Sequence, residues 1–594
     1  MVAGAAVLGL LAVGGVVRSW LAHGLWNSRH TTPLRAVPLT SLSGWEWYPA
    51  LSPDGSQLAF SWNERGGVIL RNQDIYVQLI GAGTPLRLTT DPADDESPAW
   101  SPDGHHIAFL RCLGSEQGIF TVPALGGPER KLQAIACLPA GMVAGMEDGH
   151  NLDWSGDGKL LVFPDQTSAD GFSIFLLSTE TLEKRRLTFP PQEHQFDWTP
   201  RFSPDGRSVA FTRAGGTTKP GLFIVPVAGG EPRRLTLGEG WTRGAPGGHA
   251  WTSDGSGIVV SGPGIWWASR DASLWKVPAK GGVLEPLGVG EGNASQPSIS
   301  RRGNRLAFVQ TAIDSDTWEI GISGSTSGGH SPRKIIASSR RDDGPQLSPD
   351  GNKIAFESAR SASNEIWICD RDGTNALQLT FFGATSGTPR WSPDGRSIAF
   401  DSDKEGQLDI YAVGVAGGLP RRLTAEASDE VVPSWSGDGQ WIYFGSNQTG
   451  GFQVWKVPVE GGPALQVTKN GGFAAFESPD GSRLYYAKFD APGIWEVPLN
   501  GGEEQPVHDL PPTGYWGYWD IGRRGLYFVN PEAKPRSTIE LFDLATRRVT
   551  RIAEMEREPQ PLTSGFSVAR DERAILYSQW EQDGSDIMLV EGFR

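Results

Sequence analysis

The chain has 594 residues, among them 77 Gly, 43 Pro and three Cys, and its formal net charge is −15. Glycine and proline in these amounts are typical of a protein rich in turns. The acidic charge argues against a nucleic-acid partner, which would favour a basic face, and three cysteines are too few for a disulfide framework.

Residues 1–26 are predicted to form a transmembrane anchor or signal-anchor. Residues 1–17 carry no charge, and the apolar run continues past Arg18, which gives a span near the lower limit for crossing a bilayer. A cleaved signal peptide is the alternative, but no basic residue precedes the apolar run. Arg18, Arg29 and Arg35 all follow it, and the positive-inside rule alone would leave the rest of the chain in the cytoplasm.

Beyond this segment a short phrase recurs twelve times. Its full form is Ser-Pro-Asp-Gly, which begins at Ser52, Ser101, Ser203, Ser348, Ser392 and Ser478. Altered copies begin at Ser155, Thr252, Ser300 and Ser436, and two more near Asp520 and Ala569 keep only the strand that follows. The mean spacing of about 47 residues lies in the ~40–50 range of four-stranded propeller blades.

An apolar strand follows each turn. Six positions after each repeat start stands an aliphatic residue, as at Leu58 and Ile575, and eight positions after it stands an aromatic residue in every copy except the one with Val260. Two apolar positions two residues apart lie on one face of a strand. Pro, Asp and Gly suit the corners of a tight turn, so Ser-Pro-Asp-Gly is interpreted as turn chemistry. The recurring Trp residues are interpreted as blade core.

Each unit carries further strand patterns, such as Ile366-Trp367-Ile368 and Arg421-Arg422-Leu423-Thr424, which bring it to four strands. The sequence therefore predicts an all-β protein. Its fold would be two tandem six-bladed β-propellers, made of twelve four-stranded repeats, after the N-terminal transmembrane helix. Twelve units exceed the four to eight blades with which one ring typically closes.

The division is predicted near residue 330. The distance between repeats falls from 48–54 residues to 42–44 residues at the seventh copy. A Gly/Ser-rich stretch at 323–331 has the composition of a linker. The predicted domains are propeller 1 at residues 27–330 and propeller 2 at residues 331–594.

Ring closure needs strands from outside the repeats. The last unit ends after its third strand, residues 586–590, so its outer strand must come from elsewhere. Spare strands at 35–40 and 333–337 are each expected to complete the last blade of their own ring. The alternative is an interleaved closure, in which the N-terminal strand completes the last blade of the chain.

The cysteines allow one pairing within a predicted blade. Cys112 and Cys137 lie where they face each other if the blade is built as expected, and whether they pair stays open. Cys369 is expected to be a buried single thiol.

The repeat Ser-Pro-Asp-Gly-x-x-Ile-Ala-Phe, with its downstream Ile-Trp-Val and Arg-Leu-Thr segments, resembles the TolB-type, WD-like β-propeller repeat over residues 35–594. The start of the array, Tyr48-Pro49-Ala50-Leu51 before Ser52, is similar to membrane-anchored propellers that follow a CadC-like winged-helix or a protein-kinase domain. That resemblance implies an extracytoplasmic (periplasmic) ectodomain on a single-pass cell-membrane anchor, which binds a protein, peptide or other ligand and forms the sensor part of a signalling protein.

A periplasmic TolB-like interaction scaffold is the alternative function, and an accessory propeller of a peptidase is a remote one. The sequence contains no Gly-x-Ser-x-Gly nucleophile elbow and no zinc-peptidase motif. The prediction is therefore a protein that is not an enzyme, with no cofactor and no nucleic-acid partner.

One group of polar residues precedes the innermost strands of the first ring. Asp95, Glu96, His150, His194 and His249 stand at comparable places in successive units. Innermost strands line a propeller channel, so these side chains are candidates for a ligand site at the channel mouth. Solvated loop residues are the alternative interpretation, and no metal site is assigned.

Overall fold

The computed structural model describes most of the chain beyond the N-terminal segment. Within these residues every regular element is a β-strand. The described residues are 34–63, 72–81, 83–112, 116–136, 151–168, 171–190, 195–215, 221–235, 248–262, 273–290, 293–322, 331–338, 340–361, 363–488, 493–511, 513, 516–557, 559 and 564–593.

The first half of the chain begins with β1 (Ala36–Pro38) and then forms five four-stranded antiparallel sheets, numbered here sheets 1 to 5. Their strands are β2 (Trp45–Leu51), β3 (Gln57–Asn63), β4 (Asp74–Leu79) and β5 (Leu86–Arg87); β6 (Asp94–Trp100), β7 (His106–Cys112), β8 (Gly118–Pro123) and β9 (Arg130–Gln133); β10 (Asp153–Trp154), β11 (Leu160–Ser168), β12 (Gly171–Ser178) and β13 (Lys184–Arg186); β14 (Gln195–Phe202), β15 (Ser208–Gly215), β16 (Gly221–Pro226) and β17 (Arg233–Arg234); β18 (His249–Trp251), β19 (Gly257–Gly262), β20 (Ser273–Pro278) and β21 (Glu285–Pro286). Three strands follow: β22 (Ala294–Ile299), β23 (Arg305–Gly321) and β24 (Arg333–Ile336).

The second half forms five more sheets of the same kind, sheets 7 to 11. Their strands are β25 (Asp342–Leu347), β26 (Lys353–Ser358), β27 (Glu365–Asp370) and β28 (Leu377–Gln378); β29 (Ser386–Trp391), β30 (Ser397–Ser402), β31 (Asp409–Gly414) and β32 (Arg421–Arg422); β33 (Glu430–Trp435), β34 (Trp441–Ser446), β35 (Gln453–Pro458) and β36 (Leu465–Gln466); β37 (Phe473–Glu477), β38 (Arg483–Ala487), β39 (Ile494–Pro498) and β40 (Gln505–Pro506); β41 (Trp519–Ile521), β42 (Gly525–Asn530), β43 (Thr538–Asp543) and β44 (Arg548–Glu554). The chain then forms β45 (Phe566–Val568) and β46 (Ala574–Glu591).

Two long strands join the halves of the molecule. β23 and β46 pair antiparallel from Arg305 beside Glu591 to Gly321 beside Ala574, with a register shift between Asp314 and Ser315. On one side of that shift, β22 and β1 flank the pair and make sheet 6; on the other side, β45 and β24 flank it and make sheet 12.

The innermost strand of each sheet contacts the next sheet along the chain, and these contacts close on themselves twice. Sheets 1 to 6 form one circuit, which ends where β22, β23 and β46 contact β2. Sheets 7 to 12 form the other, which ends where β45 and β46 contact β25. We call these circuits the first ring and the second ring. The all-β prediction and the four-stranded units are confirmed.

The exchange of third strands was not predicted. As expected, the strands near 35–40 and 333–337 each complete the last blade of their own ring, since β1 lies in sheet 6 and β24 lies in sheet 12. However, β1 pairs with the strand at 586–590, which was predicted to belong to the last blade of the chain, and β24 pairs with the second half of β23. Each ring therefore contains a strand from the far half of the chain, and neither 27–330 nor 331–594 contains all the strands of its own sheets. The division into those two domains stays a prediction.

The turn and core predictions are confirmed at the repeats. In the first copy, the Ser52 hydroxyl donates to Asp54 Oδ1 at 2.7 Å, the Gly55 amide donates to the Ser52 carbonyl at 2.8 Å, and Gly55 has φ +74°. That bond from Ser52 is the largest cause that lowers the pKa of the Asp54 carboxyl. The aliphatic and aromatic strand residues are fully buried, as Leu58 and Phe60 are.

Tryptophans that precede the turns have a further role. Trp154 donates its indole N–H to the Gly158 carbonyl of its own turn at 2.9 Å. Four others donate theirs to a backbone carbonyl of the preceding sheet: Trp100 to Ala50 (2.9 Å), Trp251 to Arg201 (3.2 Å), Trp391 to Gln346 (3.0 Å) and Trp435 to Arg390 (2.9 Å). These four residues therefore bond neighbouring sheets to each other as well as filling the core.

Two sequence predictions concern residues at the margin of what is described. The anchor at 1–26 lies outside the described residues, and among those that are described there is no helix of the length and hydropathy that a membrane span needs. Cys112 is disulfide-bonded, whereas Cys137, its predicted partner, lies outside the described residues. Cys369 is a free buried thiol, and burial raises its pKa to about 12.

Candidate functional site

The innermost strands carry a bulge four positions before the repeat start. Tyr48, Ser97, Thr199 and Gln296 take positive φ at this place in the first ring, and Thr388, Val432 and Ala474 do so in the second ring. The strand register shifts at the same point, for example between Trp47 and Ala50. A bulge adds a residue on one strand and re-aims the side chains beside it. It therefore controls which side chains reach the centre of each ring.

The structure describes three of the five residues that were predicted at the channel mouth, Asp95, Glu96 and His249, and they lie in two different sheets. Asp95 and Glu96 lie on β6 and are 0% and 4% exposed, so neither is a solvated loop residue. His249 lies on β18 and is also buried. His150 and His194 are outside the described residues, so their convergence with His249 stays a prediction. Among the residues that are described, no cluster of three His, Cys, Asp or Glu side chains is placed to hold a metal ion.

Asp95 is part of a buried ion pair. Arg111 donates to both of its carboxylate oxygens, from Nε at 2.6 Å and from Nη2 at 2.8 Å. Burial raises the pKa of Asp95 to about 6, against the opposing effect of these bonds. The same pair recurs two sheets further along, where Arg213 donates to Asp197 at 2.6 and 2.8 Å. Asp95 therefore belongs to a repeated structural element.

His249 is a neutral imidazole. Neither ring nitrogen has a hydrogen-bond partner among the residues that the structure describes. Burial, and then the positive charge of Arg201, lower the pKa of His249 to about 3, while the backbone of Ala210 has a smaller opposing effect. The ring therefore carries no charge at neutral pH.

A second set of side chains lies on the innermost strand of each sheet, two positions before the repeat start. We call each set a central belt. In the first ring it consists of Ala50, Ala99, Asp153, Arg201, Ala250 and Ser298. In the second ring it consists of Gln346, Arg390, Ser434, Phe476, Asp520 and Ser567. Sheet 11 has a shorter turn, so its belt residue is identified from the strand register. Ile521 pairs with Leu526 as Leu51 pairs with Leu58 in sheet 1, and Asp520 therefore corresponds to Ala50.

Several belt side chains bond the next sheet. Asp153 accepts from the Phe202 amide at 2.8 Å, Ser298 from the Leu51 amide at 3.1 Å and Asp520 from the Val568 amide at 2.9 Å. These bonds hold consecutive innermost strands in register. The belts therefore have a structural part, which is common to the two rings.

Arg390 is the member of the second belt that reaches across its ring. Its guanidinium lies 5.1 Å from the centre of the Phe476 ring, which belongs to sheet 10. Asp520, in the opposite sheet 11, is the largest of the charges that act on Arg390, ahead of Asp401 and Glu357. Contacts with sheets on the far side place this side chain at the centre of the ring. Arg390 is only 4% exposed.

Carboxylates around Arg390 are bonded elsewhere. Asp401 accepts from the Val432 amide at 2.8 Å and from the Thr388 hydroxyl at 2.7 Å. Glu357 accepts from Arg341 at 3.0 Å and from the Thr388 amide at 3.1 Å. These bonds cap the bulged amides of the following sheets. Burial raises the pKa of Asp401 to about 7, and it raises the pKa of Glu357 and Asp520 as well.

Two further arginines lie at the ends of the rings where the repeat turns are found, which we call the turn mouths. Arg301 of sheet 6 donates to the carbonyl of Trp154 in the opposite sheet 3 at 2.6 Å. Arg570 of sheet 12 donates to the carbonyl of Pro393 in sheet 8 at 3.4 Å. Both stand one position after the repeat start, where intact copies have proline. Each ring thus has one altered turn whose arginine extends over the turn mouth.

Sequence reasoning missed the belts and these turn-mouth arginines. A signal was present for both, because Arg201 and Arg390 share one repeat position and Arg301 and Arg570 share another. The histidines were predicted at the channel mouth instead, because histidine is rare in this chain.

Comparison with known proteins supports the repeat assignment. The chain matches the PD40 family, described as the TolB beta propeller domain, at residues 31–195, 153–382 and 329–505. It is 30% identical over 254 residues to an uncharacterised protein of Agrobacterium fabrum, a match that covers 40% of this chain and 77% of that protein. It is 27% identical over 164 residues to an uncharacterised peptidase of Bacillus subtilis, which covers 28% of this chain but only 21% of the peptidase.

Solved structures with similar folds share little sequence with the chain. A TolB protein from Agrobacterium tumefaciens has 16% identity and a TM-score of 0.27, with 56% of this chain and 89% of that chain covered. The tricorn protease has 12% identity and a TM-score of 0.29, with 90% and 61% covered. At these scores the superpositions add nothing to the family match. Because that match extends over most of the chain, the protein belongs to the TolB-type β-propeller family.

Proposed function

We propose that this chain is a non-catalytic interaction scaffold, in which two six-bladed propellers present their centres and turn mouths to a protein or peptide partner in the cell envelope. The observation that carries the proposal is the family match over residues 31–195, 153–382 and 329–505. TolB-like propellers are interaction modules, and a repeated fold serves function through the side chains placed on it. The belts supply such side chains, since their frame is common to both rings and their composition differs.

The packing of the turns supports a rigid binding face. A Cβ placed at Gly395 would lie 3.6 Å from Pro349 of the preceding turn, and one at Gly439 would lie 3.7 Å from Pro393. These two turns of the second ring therefore lie close to the turns that precede them, whereas a Cβ at Gly104 or Gly206 in the first ring would meet nothing within 4 Å. A preformed face loses little conformational freedom when a partner binds, which favours affinity.

The peptidase alternative has less support. The match to the Bacillus subtilis peptidase covers 21% of that protein, so its activity is not carried over to this chain. The membrane anchor at 1–26, the extracytoplasmic location and the role as a sensor remain predictions from the sequence.

Photo-crosslinking in living cells tests the scaffold function. A photoreactive amino acid would replace His105 at the first turn mouth or Gln440 at the second, since both are exposed four positions after a repeat start. The matched control is Leu419, which is 97% exposed in the loop between β31 and β32 at the periphery. We expect one discrete protein adduct at a turn mouth and none at Leu419. Equal labelling at all three sites, or no adduct at either mouth, would contradict the proposal.

A further inference from the structure

Arg390 is a buried cation whose guanidinium has no partner within the part of the chain that the structure describes. No nitrogen of its guanidinium makes a hydrogen bond or an ion pair with a described residue, and its Nε atom is buried. Its one side-chain contact of note is with the face of Phe476, at 5.1 Å. A buried charge without direct partners is costly and is rare in folded proteins. Such a group is therefore expected to have a use that the fold alone does not supply.

The first ring shows how the fold accommodates an arginine at this place. Arg201 occupies the same repeat position in sheet 4. It donates from Nη1 to the Leu152 carbonyl at 3.0 Å and from Nη2 to the Asn151 side chain at 2.6 Å. Arg201 thus turns toward the neighbouring sheet and is bonded there. Arg390 instead extends toward Phe476 and Asp520, and its donors stay open.

The acidic groups near Arg390 are not direct partners of its guanidinium. Glu357 and Asp520 each accept hydrogen bonds on both carboxylate oxygens, and Asp401 accepts two on Oδ2, all from backbone amides, a hydroxyl or Arg341. None forms an ion pair with Arg390. They act on it only at a distance, so they lower the cost of its burial without occupying its donors.

We propose that Arg390 forms a carboxylate-binding site at the centre of the second ring. A guanidinium presents parallel donors that match the two oxygens of a planar carboxylate, and Phe476 supports it from behind. A singly charged ligand suits one open cation, because the surrounding Asp401, Glu357 and Asp520 repel a phosphate dianion about twice as strongly as a monoanion. The carboxylate comes either from a peptide or from a free organic acid.

This proposal extends the proposed function, because it names the chemistry of the partner that the second ring takes. It does not depend on that function, since a free acid would use the same donors. The binding test and the crosslinking test can therefore fail separately. A partner crosslinked at Gln440 without carboxylate binding would count against the Arg390 site only. Carboxylate binding without any crosslinked partner would count against the scaffold only.

The test is isothermal titration calorimetry of the full chain with benzoate, using benzamide as its uncharged analogue and inorganic phosphate as a dianion. We expect benzoate to bind, and Arg390→Gln to weaken it by at least about tenfold through loss of a charge-assisted pair. Arg390→Lys keeps the positive charge but lacks the paired guanidinium donors, so it should weaken benzoate binding less than Arg390→Gln does. Arg421→Gln, on the outer strand β32 of the same sheet, is the control and should leave benzoate affinity unchanged.

Source and specificity need a second set of ligands. A short peptide with a free C-terminal carboxylate would be compared with its C-terminal amide, and with the amide carrying one internal aspartate. If only the peptides that carry a carboxylate bind, the site is supported, and the peptide that binds shows whether the carboxylate is C-terminal or comes from an aspartate side chain. If benzoate binds and no peptide does, the ligand is a free organic acid. Equal binding of benzamide, unchanged affinity in correctly folded Arg390→Gln and Arg390→Lys proteins, or no carboxylate binding at all would overturn the proposal.

Discussion

Sheets 4 and 8 carry the same residue types at two equivalent repeat positions, but the side chains around those positions differ. Their comparison distinguishes the features common to both rings from those that vary near the centre of each ring. Both have threonine four positions before the repeat start, Thr199 and Thr388, and both have arginine two positions before it. In sheet 4 the Thr199 hydroxyl bonds the Thr212 hydroxyl at 3.0 Å. In sheet 8 the Thr388 hydroxyl bonds the Asp401 carboxylate at 2.7 Å.

That single exchange of Thr212 for Asp401 places a carboxylate beside the centre of the second ring. In the first ring the pairs Asp95–Arg111 and Asp197–Arg213 each join the innermost and second strands of one sheet. The second ring also has buried pairs within one sheet, since Arg341 pairs with Glu357 and Arg360 with Asp342 in sheet 7. The turns, the bulges and the Trp bonds are common to both rings. The comparison indicates that the common frame accommodates different polar or charged side chains at a few equivalent positions. These positions are the candidates for functional residues.

The largest expected effect concerns the buried pair of sheet 4. Sheet 8 has Ser386 and Ser402 where sheet 4 has Asp197 and Arg213, and the two hydroxyls bond at 3.0 Å. Asp197→Ser leaves Arg213 buried without its partner, so we expect a loss of about 3–5 kcal/mol in the free energy of unfolding. Urea denaturation followed by tryptophan fluorescence measures it.

A double variant sharpens this test. Asp197→Ser with Arg213→Ser transfers the serine pair of sheet 8 into sheet 4 and removes the orphaned charge. We expect it to recover at least half of the loss, because two hydroxyls can satisfy each other. If the double variant is less stable than Asp197→Ser, the two rings do not share an interchangeable frame at this position.

The next effect is a pH dependence that belongs to the second ring. Burial raises the pKa of Asp401 to about 7. A carboxyl whose pKa is higher in the folded chain than in the unfolded chain binds its proton more tightly when folded. Its contribution to stability is therefore complete below about pH 4 and is lost as the pH rises through about 7. Between pH 4 and pH 8 we expect the native chain to lose on the order of 2–4 kcal/mol more than Asp401→Asn.

A control with the opposite sign lies in the same sheet. A bond from Ser392 lowers the pKa of Asp394 in the repeat turn. A lowered carboxyl pKa gives stability that is present at neutral pH and is lost in acid. Asp394→Asn should therefore reduce the acid sensitivity of unfolding, whereas Asp401→Asn reduces the loss toward alkaline pH. Identical pH profiles for the native chain and Asp401→Asn would refute the assignment.

The repeated frame was predictable from the sequence because it depends on local patterns. Leu58 and Phe60 alternate on one strand face, and Gly55 takes the conformation that the turn requires. The exchange of third strands was not predictable, because Trp318-Glu319-Ile320 and Ile587-Met588-Leu589 have similar patterns and neither shows which ring it joins. Only long-range pairing decides that.

The candidate site was predicted poorly for a related reason. Asp95 was expected at a channel mouth, but the arginine that binds it lies on the next strand, and their pairing follows from strand register. Arg390 and Arg201 are equivalent in sequence and differ in what surrounds them. A repeat alignment identifies such positions, and the neighbouring sheets determine whether the side chain is bonded or open.

The smallest effect tests whether the Trp bonds between sheets are equivalent in the two rings. Trp251→Phe and Trp435→Phe each remove one indole N–H that reaches a carbonyl of the preceding sheet. Trp455→Phe is the control, because the indole N–H of Trp455 has no partner among the described residues and its ring is partly buried, as those of Trp251 and Trp435 are. All three substitutions remove the same ring volume, so the loss of the bond should make the first two variants less stable than the control by about 1 kcal/mol. Thermal and urea unfolding of the three proteins measures the difference. If Trp251→Phe differs from the control and Trp435→Phe does not, the sheets of the second ring are held together mainly by their carboxylate-capped bulges, and the common frame is narrower than the repeated Trp implies.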